Sequence, residues 1–183
     1  PSVAYHLDGV YVASPFALQT DFIDVERIEV LRGPQGTLFG QNSTGGAINV
    51  ISKAPDSEFG VAGDFTGGDY SLMKGRLSMN LPLSDRLNTR TSISVTERDG
   101  FSTNLLNGQD LDDMSSISAR TDWEYMKGIA RLRVFAQYFD ADNNGAAMKG
   151  IDDQTPDPRE LVQDTEANFE LTSKLAAAIL EVG

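Results

Sequence analysis

Cysteine is absent from this chain of 183 residues, and histidine occurs once, at His6. The first absence excludes disulfides, thiolate metal sites and cysteine nucleophiles, without identifying a compartment. The second leaves a single imidazole for any general-base chemistry. No apolar run reaches the roughly 18 residues that a membrane-spanning helix requires. That excludes such a helix but not a β-barrel, whose strands alternate and average to a modest hydropathy. Basic residues are scarce: 15 Lys and Arg against 27 Asp and Glu give a net charge of −12, which argues against nucleic acid as a partner. At 40% hydrophobic, the composition alone would suit a soluble domain or a piece of something larger. No signal peptide opens the sequence, Pro1 begins directly in strand-like sequence, and the chain reads as a fragment.

What is present is organised around RIEVLRGPQGTLFGQNSTGGAINVISK, from Arg27 to Lys53. Arg27 to Arg32 alternates, with Ile28 and Val30 on one side and Glu29 on the other, the pattern of a half-buried strand. Gly33 breaks it, Pro34 suits the first position of a helix and Gly40 the position just past its end, so a short helical turn is expected between Pro34 and Phe39, burying Leu38 and Phe39. After the polar bend Gln41 to Thr44, Gly45 and Gly46 allow close backbone approach or positive φ. Ala47 to Ser52 then reads as a strand covered on both faces. Upstream, Asp8-Gly9 is a type I′ turn signal that pairs Tyr5–Leu7 with Val10–Val12. Ser14 to Thr20 reads as a loop, and Asp24 as a cap of the short turn entering Arg27.

The order ERIEVLRGPQGTLFG, then GGAINVISKAP, closely resembles the end of the plug domain of TonB-dependent outer-membrane receptors. The match rests on Arg27, Glu29, Arg32, Gly33, Pro34, Gly40, Gly45 and Gly46 standing in order. It implies a mainly β protein, with 1–56 the C-terminal part of a small mixed α/β plug domain and 57–183 the first strands of a large barrel. It further implies no enzyme and no cofactor, but active uptake of a scarce nutrient across the bacterial outer membrane. Ferric siderophores or other metal chelates are the leading ligands, with cobalamin or glycans as alternatives. The implied partners are TonB, acting on a segment before the plug, the lipid of the outer membrane and a ligand arriving from outside. Arg32 resembles the family's lock arginine, which pairs with glutamates of the barrel wall.

From Phe59 onward the chain alternates in segments of about ten residues, the length of a tilted bilayer-crossing strand. Six such strands are expected, beginning near Phe59, Met73, Leu87, Ser116, Ala130 and Phe169. Alternation turns Arg76, Arg90, Arg120, Arg131 and Arg133 to the lumen and Leu132 and Val134 to lipid. In the last strand Phe169, Leu171, Leu175, Ala177 and Ile179 form the apolar side against Glu170, Thr172 and Lys174, although Ala176, Ala178 and Leu180 blur its polar side. Ser84–Arg86 and Met126–Gly128 are tight turns, whereas Asp99–Met114 and Asp140–Ala167 are long and polar, so the former face the periplasm and the latter the exterior. Phe59, Trp123 and Tyr125 then fall at the periplasmic girdle and Tyr138 at the outer one. A soluble antiparallel sandwich, as an adhesion or carbohydrate-binding module, also alternates and is the rival reading.

Other motifs are weak. Gln41-Asn42-Ser43-Thr44-Gly45 lacks one glycine of a nucleophile elbow and reads as a structural bend, no Gly-Lys-Ser/Thr follows to make a phosphate loop, and Asn42-Ser43-Thr44 is a bare sequon. Asp140, Asp142 and Asn144 match the start of a calcium loop, but Ile151 stands where the bidentate glutamate belongs. The two long loops hold 12 acids and two bases, supplying −10 of the net −12, so the exterior face is expected to attract cations.

Overall fold

The computed structural model describes residues 3–12, 23–34 and 44–183. They are all strand, turn and loop, in a small four-stranded sheet, a six-stranded meander and a three-stranded loop sheet. The expected helical turn, Gly40 and Ser43 lie outside the described residues.

The first sheet contains β1 (Val3–Leu7), β2 (Val10–Tyr11), β3 (Val25–Arg32) and β4 (Gly46–Ser52), in the order β2-β1-β4-β3. Asp8 and Gly9 have φ of 50° and 79°, as a type I′ turn demands, and close the hairpin at the Leu7–Val10 pair. β4 runs parallel to β1 and antiparallel to β3, and as the central strand it is buried at Ala47, Asn49, Val50 and Ser52. Gly46 permits this: its φ is 143°, and a Cβ there would lie 2.4 Å from the Leu31 carbonyl oxygen. β3 differs from expectation. It is an edge strand, and Ile28 and Val30 stay 57% and 64% exposed because only β4 lies beside them.

The second sheet is an antiparallel meander of six strands: β5 (Gly60–Gly68), β6 (Leu72–Ser84), β7 (Leu87–Arg98), β10 (Met114–Lys127), β11 (Ala130–Asn143) and β13 (Phe169–Val182). Each strand of this sheet pairs with the next strand of the same sheet; tight turns at 85–86 and 128–129 leave β6–β7 and β10–β11 no other choice, whereas long loops join β7 to β10 and β11 to β13. One face packs against the first sheet and buries Asn88, Ser92, Ser94, Ser118, Arg120, Asp122, Glu124 and Phe135. The other exposes Val61, Phe65, Met73, Leu77, Ile93, Val95, Leu132 and Val134. Hydroxyls on that apolar side are satisfied within the sheet: Thr91 and Thr121 bond each other at 3.1 Å, and Thr89 donates to the Asp122 carbonyl at 2.8 Å.

The apolar face ends in polar residues at Glu97 on β7, Ser115 on β10, Asp140 on β11 and Lys174 on β13. Glu97 pairs with Ser115, yet Asp140 pairs with Ile117 and Lys174 with Tyr138, itself opposite Ala119. The boundary therefore cuts obliquely across the register.

One expectation about this sheet is corrected. β13 is inverted: pairing with β11 puts Leu175, Ala177 and Ile179 on the inner side, with Gln137, Phe135 and Arg133, and turns Lys174, Ala176, Ala178 and Leu180 outward. Residues of both sides are small or apolar here, so the pattern alone did not set the register. The two long polar loops form a sheet of their own: β8 (Ser102–Asn104) in the first pairs with β9 (Asp110–Leu111) of the same loop and with β12 (Glu160–Leu161) of the second, around the buried Asn104, Leu111 and Leu161.

Candidate functional site between the two sheets

The contact between the small sheet and the meander is ionic, and two aspartates of the small sheet make it. Both hold positive φ, Asp8 in the β1–β2 turn and Asp24 (58°) just before β3, and each turns its carboxylate onto the inner face of the meander.

Asp24 is gripped by Arg90 of β7, whose Nε and Nη2 donate to its two oxygens, the latter at 2.8 Å. Ser92 adds a hydrogen bond of 2.8 Å, and Lys53 lies 3.9 Å away. Burial alone would raise the Asp24 pKa, but the Arg90 and Ser92 hydrogen bonds and the charges of Arg90 and Lys53 outweigh it and hold the carboxyl below its ordinary value.

Asp8 enters a denser cluster. Arg120 Nη2 donates to Asp8 Oδ2 at 2.6 Å, while its Nε and Nη2 reach Asp122 at 2.7 and 3.1 Å and its Nη1 reaches Gln137 at 3.2 Å. Arg133 Nε donates to Asp122 at 2.9 Å, and its Nη1 stands 3.6 Å from Asp8 Oδ1. The Ser52 backbone N–H completes Asp8 at 2.9 Å. Two carboxylates thus meet two guanidinium groups, and the Asp8, Arg120 and Asp122 side chains are no more than 3% exposed. Burial without this pairing would be prohibitive.

The residues singled out from the sequence are distributed as follows. Arg90, Arg120 and Arg133 converge on the small sheet through Asp24 and Asp8. Arg131 instead joins Glu124, at 2.7 Å, and Glu181, at 3.3 Å, while Arg76 pairs with Asp64 at 2.9 Å in half-exposed surroundings. Arg27 binds the neighbouring Glu26 and Glu29, at 2.6 and 2.9 Å. Arg32, Pro34 and Gly45 are exposed, and Gly33 takes a φ of 81° at the end of β3. The ion pairs joining the sheets therefore have the opposite polarity to the expected lock, with acid on the small sheet and arginine on the meander.

Asp140 and Asp142 lie in extended β11 rather than in a winding loop; Asp140 accepts from Tyr138 and Thr172, and no trio of metal-binding side chains occurs among the described residues. Sequence reasoning missed Asp8 and Asp24, whose local roles as turn and cap residues were sufficient explanations. It also missed Phe135 and Phe139, large apolar side chains on the inner face of β11.

Cavities open at this interface, among them one of about 330 Å³ beside Asp24, Lys53 and Arg76, and also at the loop end. Another of about 330 Å³ opens between the small sheet and β11 and β13, lined by Asp8, Arg27, Arg131, Arg133, Ile179 and Glu181. The one at the loop end, of about 360 Å³, lies among Arg98, Phe101, Asp112, Asn143 and Phe169. There the loops are tied to the β5–β6 turn: Phe101 stacks 5.9 Å from Tyr70 and 5.0 Å from the Arg98 guanidinium, and Arg159 bonds the Tyr70 hydroxyl.

A small mixed sheet is thus pinned by ion pairs to the inner face of an outward-apolar meander. Residues 1–47 match the TonB-dependent Receptor Plug Domain family, and the chain carries the plug sequence of a TonB-dependent receptor, a protein of the bacterial outer membrane. Among curated relatives, it is 40% identical over 89 residues to the pesticin receptor of Yersinia pestis, covering 48% of this chain and 13% of that protein. It is 28% identical over 92 residues to the catecholate siderophore receptor Fiu of Escherichia coli K12, covering 50% and 12%. The fold matches the ferric yersiniabactin uptake receptor FyuA of Yersinia pestis, with a TM-score of 0.73 at 22% identity over 98% of this chain and 29% of that one. It also matches the receptor in the FpvAI–pyocin S2 complex, with a TM-score of 0.80 at 20% identity over 98% and 26%. The chain thus spans under a third of the solved receptors and about an eighth of the curated ones.

Proposed function

We propose that the protein containing this chain actively imports a ferric siderophore or another metal chelate across the outer membrane. Residues 1–56 form the C-terminal part of its plug, and 57–183 its first wall strands. The observation that bears most weight is the buried Asp8–Arg120–Asp122–Arg133 cluster, which fastens the plug sheet to the inner face of strands whose other face is apolar. A soluble adhesion or carbohydrate-binding module would not leave that outer face so apolar.

In this reading ligand arrives from outside at the loop end, where the 360 Å³ cavity lies, and the plug blocks the lumen until it is moved. The energy comes from TonB, acting on a segment before the plug. The names of the relatives, a catecholate siderophore receptor and a ferric yersiniabactin uptake receptor, favour an iron chelate over cobalamin or a glycan. The test is uptake of radiolabelled iron, presented on a panel of chelators to iron-starved cells with or without the full-length receptor, and with or without TonB. Saturable uptake of at least one chelate that needs both proteins is expected; uptake indifferent to the receptor, or to TonB, refutes the proposal.

A further inference from the structure

The inner face of β11 runs Arg131, Arg133, Phe135, Gln137, Phe139, and carries two buried rings, Phe139 at 3% and Phe135 at 1% exposed. Of the two, Phe135 is the ring with guanidinium groups over it. The register shows what surrounds it. Phe135 pairs directly with Asp122, while Arg120 pairs with Gln137 and Arg133 with Glu124, so the two arginines occupy diagonal positions, one pair above and one below. Each reaches back over the ring toward the centre. The Arg120 guanidinium carbon lies 4.3 Å from the ring centroid and that of Arg133 lies 6.0 Å from it. On the far side Phe135 pairs with Ala177 of β13, a small neighbour.

We propose that Phe135 is a positioning residue for plug retention: its ring is the platform that holds Arg120 and Arg133 in the fork that receives Asp8. Two like charges converge here, and a polar side chain would compete for them or let them part. The electron-rich ring face attracts both cations without offering a hydrogen bond that would divert their donors from Asp8 and Asp122. An aliphatic side chain of similar bulk fills the space but supplies no such attraction. Asp8 then meets two guanidinium groups already in place, and less side-chain freedom is lost when the plug docks. The geometry stands independently of the transported ligand, but its consequence rests on reading the small sheet as a transporter plug.

The test uses the full-length receptor in the outer membrane of living cells and reads the leak of a large glycopeptide antibiotic, which a seated plug excludes. Phe135 is replaced by phenylalanines carrying one, two and three ring fluorines, which withdraw charge from the ring face with little change of shape. Leak is expected to rise stepwise, reaching about threefold to tenfold with the trifluoro ring, while Phe135→Leu leaks at least as much. In an Asp8→Asn background the fluorine series is expected to be flat, because the fork then has no carboxylate from the plug to receive. Flat leak across the series with Asp8 intact overturns the proposal and makes Phe135 a filler of space. So does an equal fluorine effect with and without Asp8. Chelate uptake measured in the same cells separates the two readings: a graded leak without uptake leaves the platform standing and removes the transporter, whereas normal uptake with a flat series does the reverse.

Discussion

Replacing Asp8 by Asn removes one charge from the buried cluster and little else. Asn tolerates the left-handed backbone of the turn, where Asp8 has a φ of 50°, and its carbonyl oxygen can still accept the Ser52 N–H. What changes is the balance: Arg120 and Arg133, 3% and 12% exposed at the side chain, are left to share the single carboxylate of Asp122. Stranding one member of a buried ionic group costs about 3 to 5 kcal/mol. At about 1.4 kcal/mol per tenfold, the population of undocked plug rises by roughly 100-fold or more. The assay is protease cleavage of the plug in full-length receptor reconstituted into liposomes, with the barrel's resistance to heat in detergent reporting that the wall is intact. Asp64→Asn serves as the comparison, since its bridge to Arg76 is about half exposed on both sides and its loss costs under about 1 kcal/mol. If Asp8→Asn and Asp64→Asn are cleaved at equal rates, the argument from burial fails.

Acid should act on the loop unit late. Asp153 is held at about 2 by the Thr155 and Val162 backbone N–H groups and the Thr155 hydroxyl, so its folded pKa is depressed. Its contribution is complete above the ordinary 3.8 and is lost as pH falls toward 2; amide exchange at Thr155 and Val162 should therefore accelerate only in that window, and acceleration already at pH 5 would contradict it. On the wall, a lipid-confined quencher should reach a probe at Leu132 and not one at Arg131, and equal quenching would reverse the assigned faces. Arg32→Ala tests the lock expected from the family resemblance: increased antibiotic leak or reduced energised uptake, with external ligand binding retained, is the expected result. Unchanged leak and uptake at normal receptor levels would leave plug retention to Asp8 and Asp24.

The wall was legible because alternation is local. Strands β6, β7, β10 and β11 each set polar against apolar residues, and short turns fixed which strands are neighbours. β13 was not, because Leu175, Ala177 and Ile179 compete with Ala176, Ala178 and Leu180 for the same description, and only the hydrogen-bonded register with β11 decides. The ionic clamps were illegible for a different reason. Asp24 and Arg90 are 66 positions apart, and Asp8 and Arg120 are 112 apart, while each aspartate already had a short-range explanation. The loop sheet escaped notice because strands of two or three residues carry no periodicity. The expected burial of Ile28 and Val30 was a correct reading of alternation applied to an edge strand, where alternation does not ensure a cover.

The separation between clamp partners also sets an order of assembly. The wall is a chain of sequential hairpins, so each strand can be added to the one before it, and loop closure costs little at any step. Asp8 and Asp24 precede all of it: Asp24 can meet its arginine only once β7 is in place, and Asp8 only once β10 and β11 are. Until then both carboxylates remain hydrated, and the plug sheet has little reason to prefer one orientation. Desolvation of the acids and capture of the plug are thereby deferred to a late step, after the surface that receives them exists. A receptor assembled in this sequence seals itself last, from the inside.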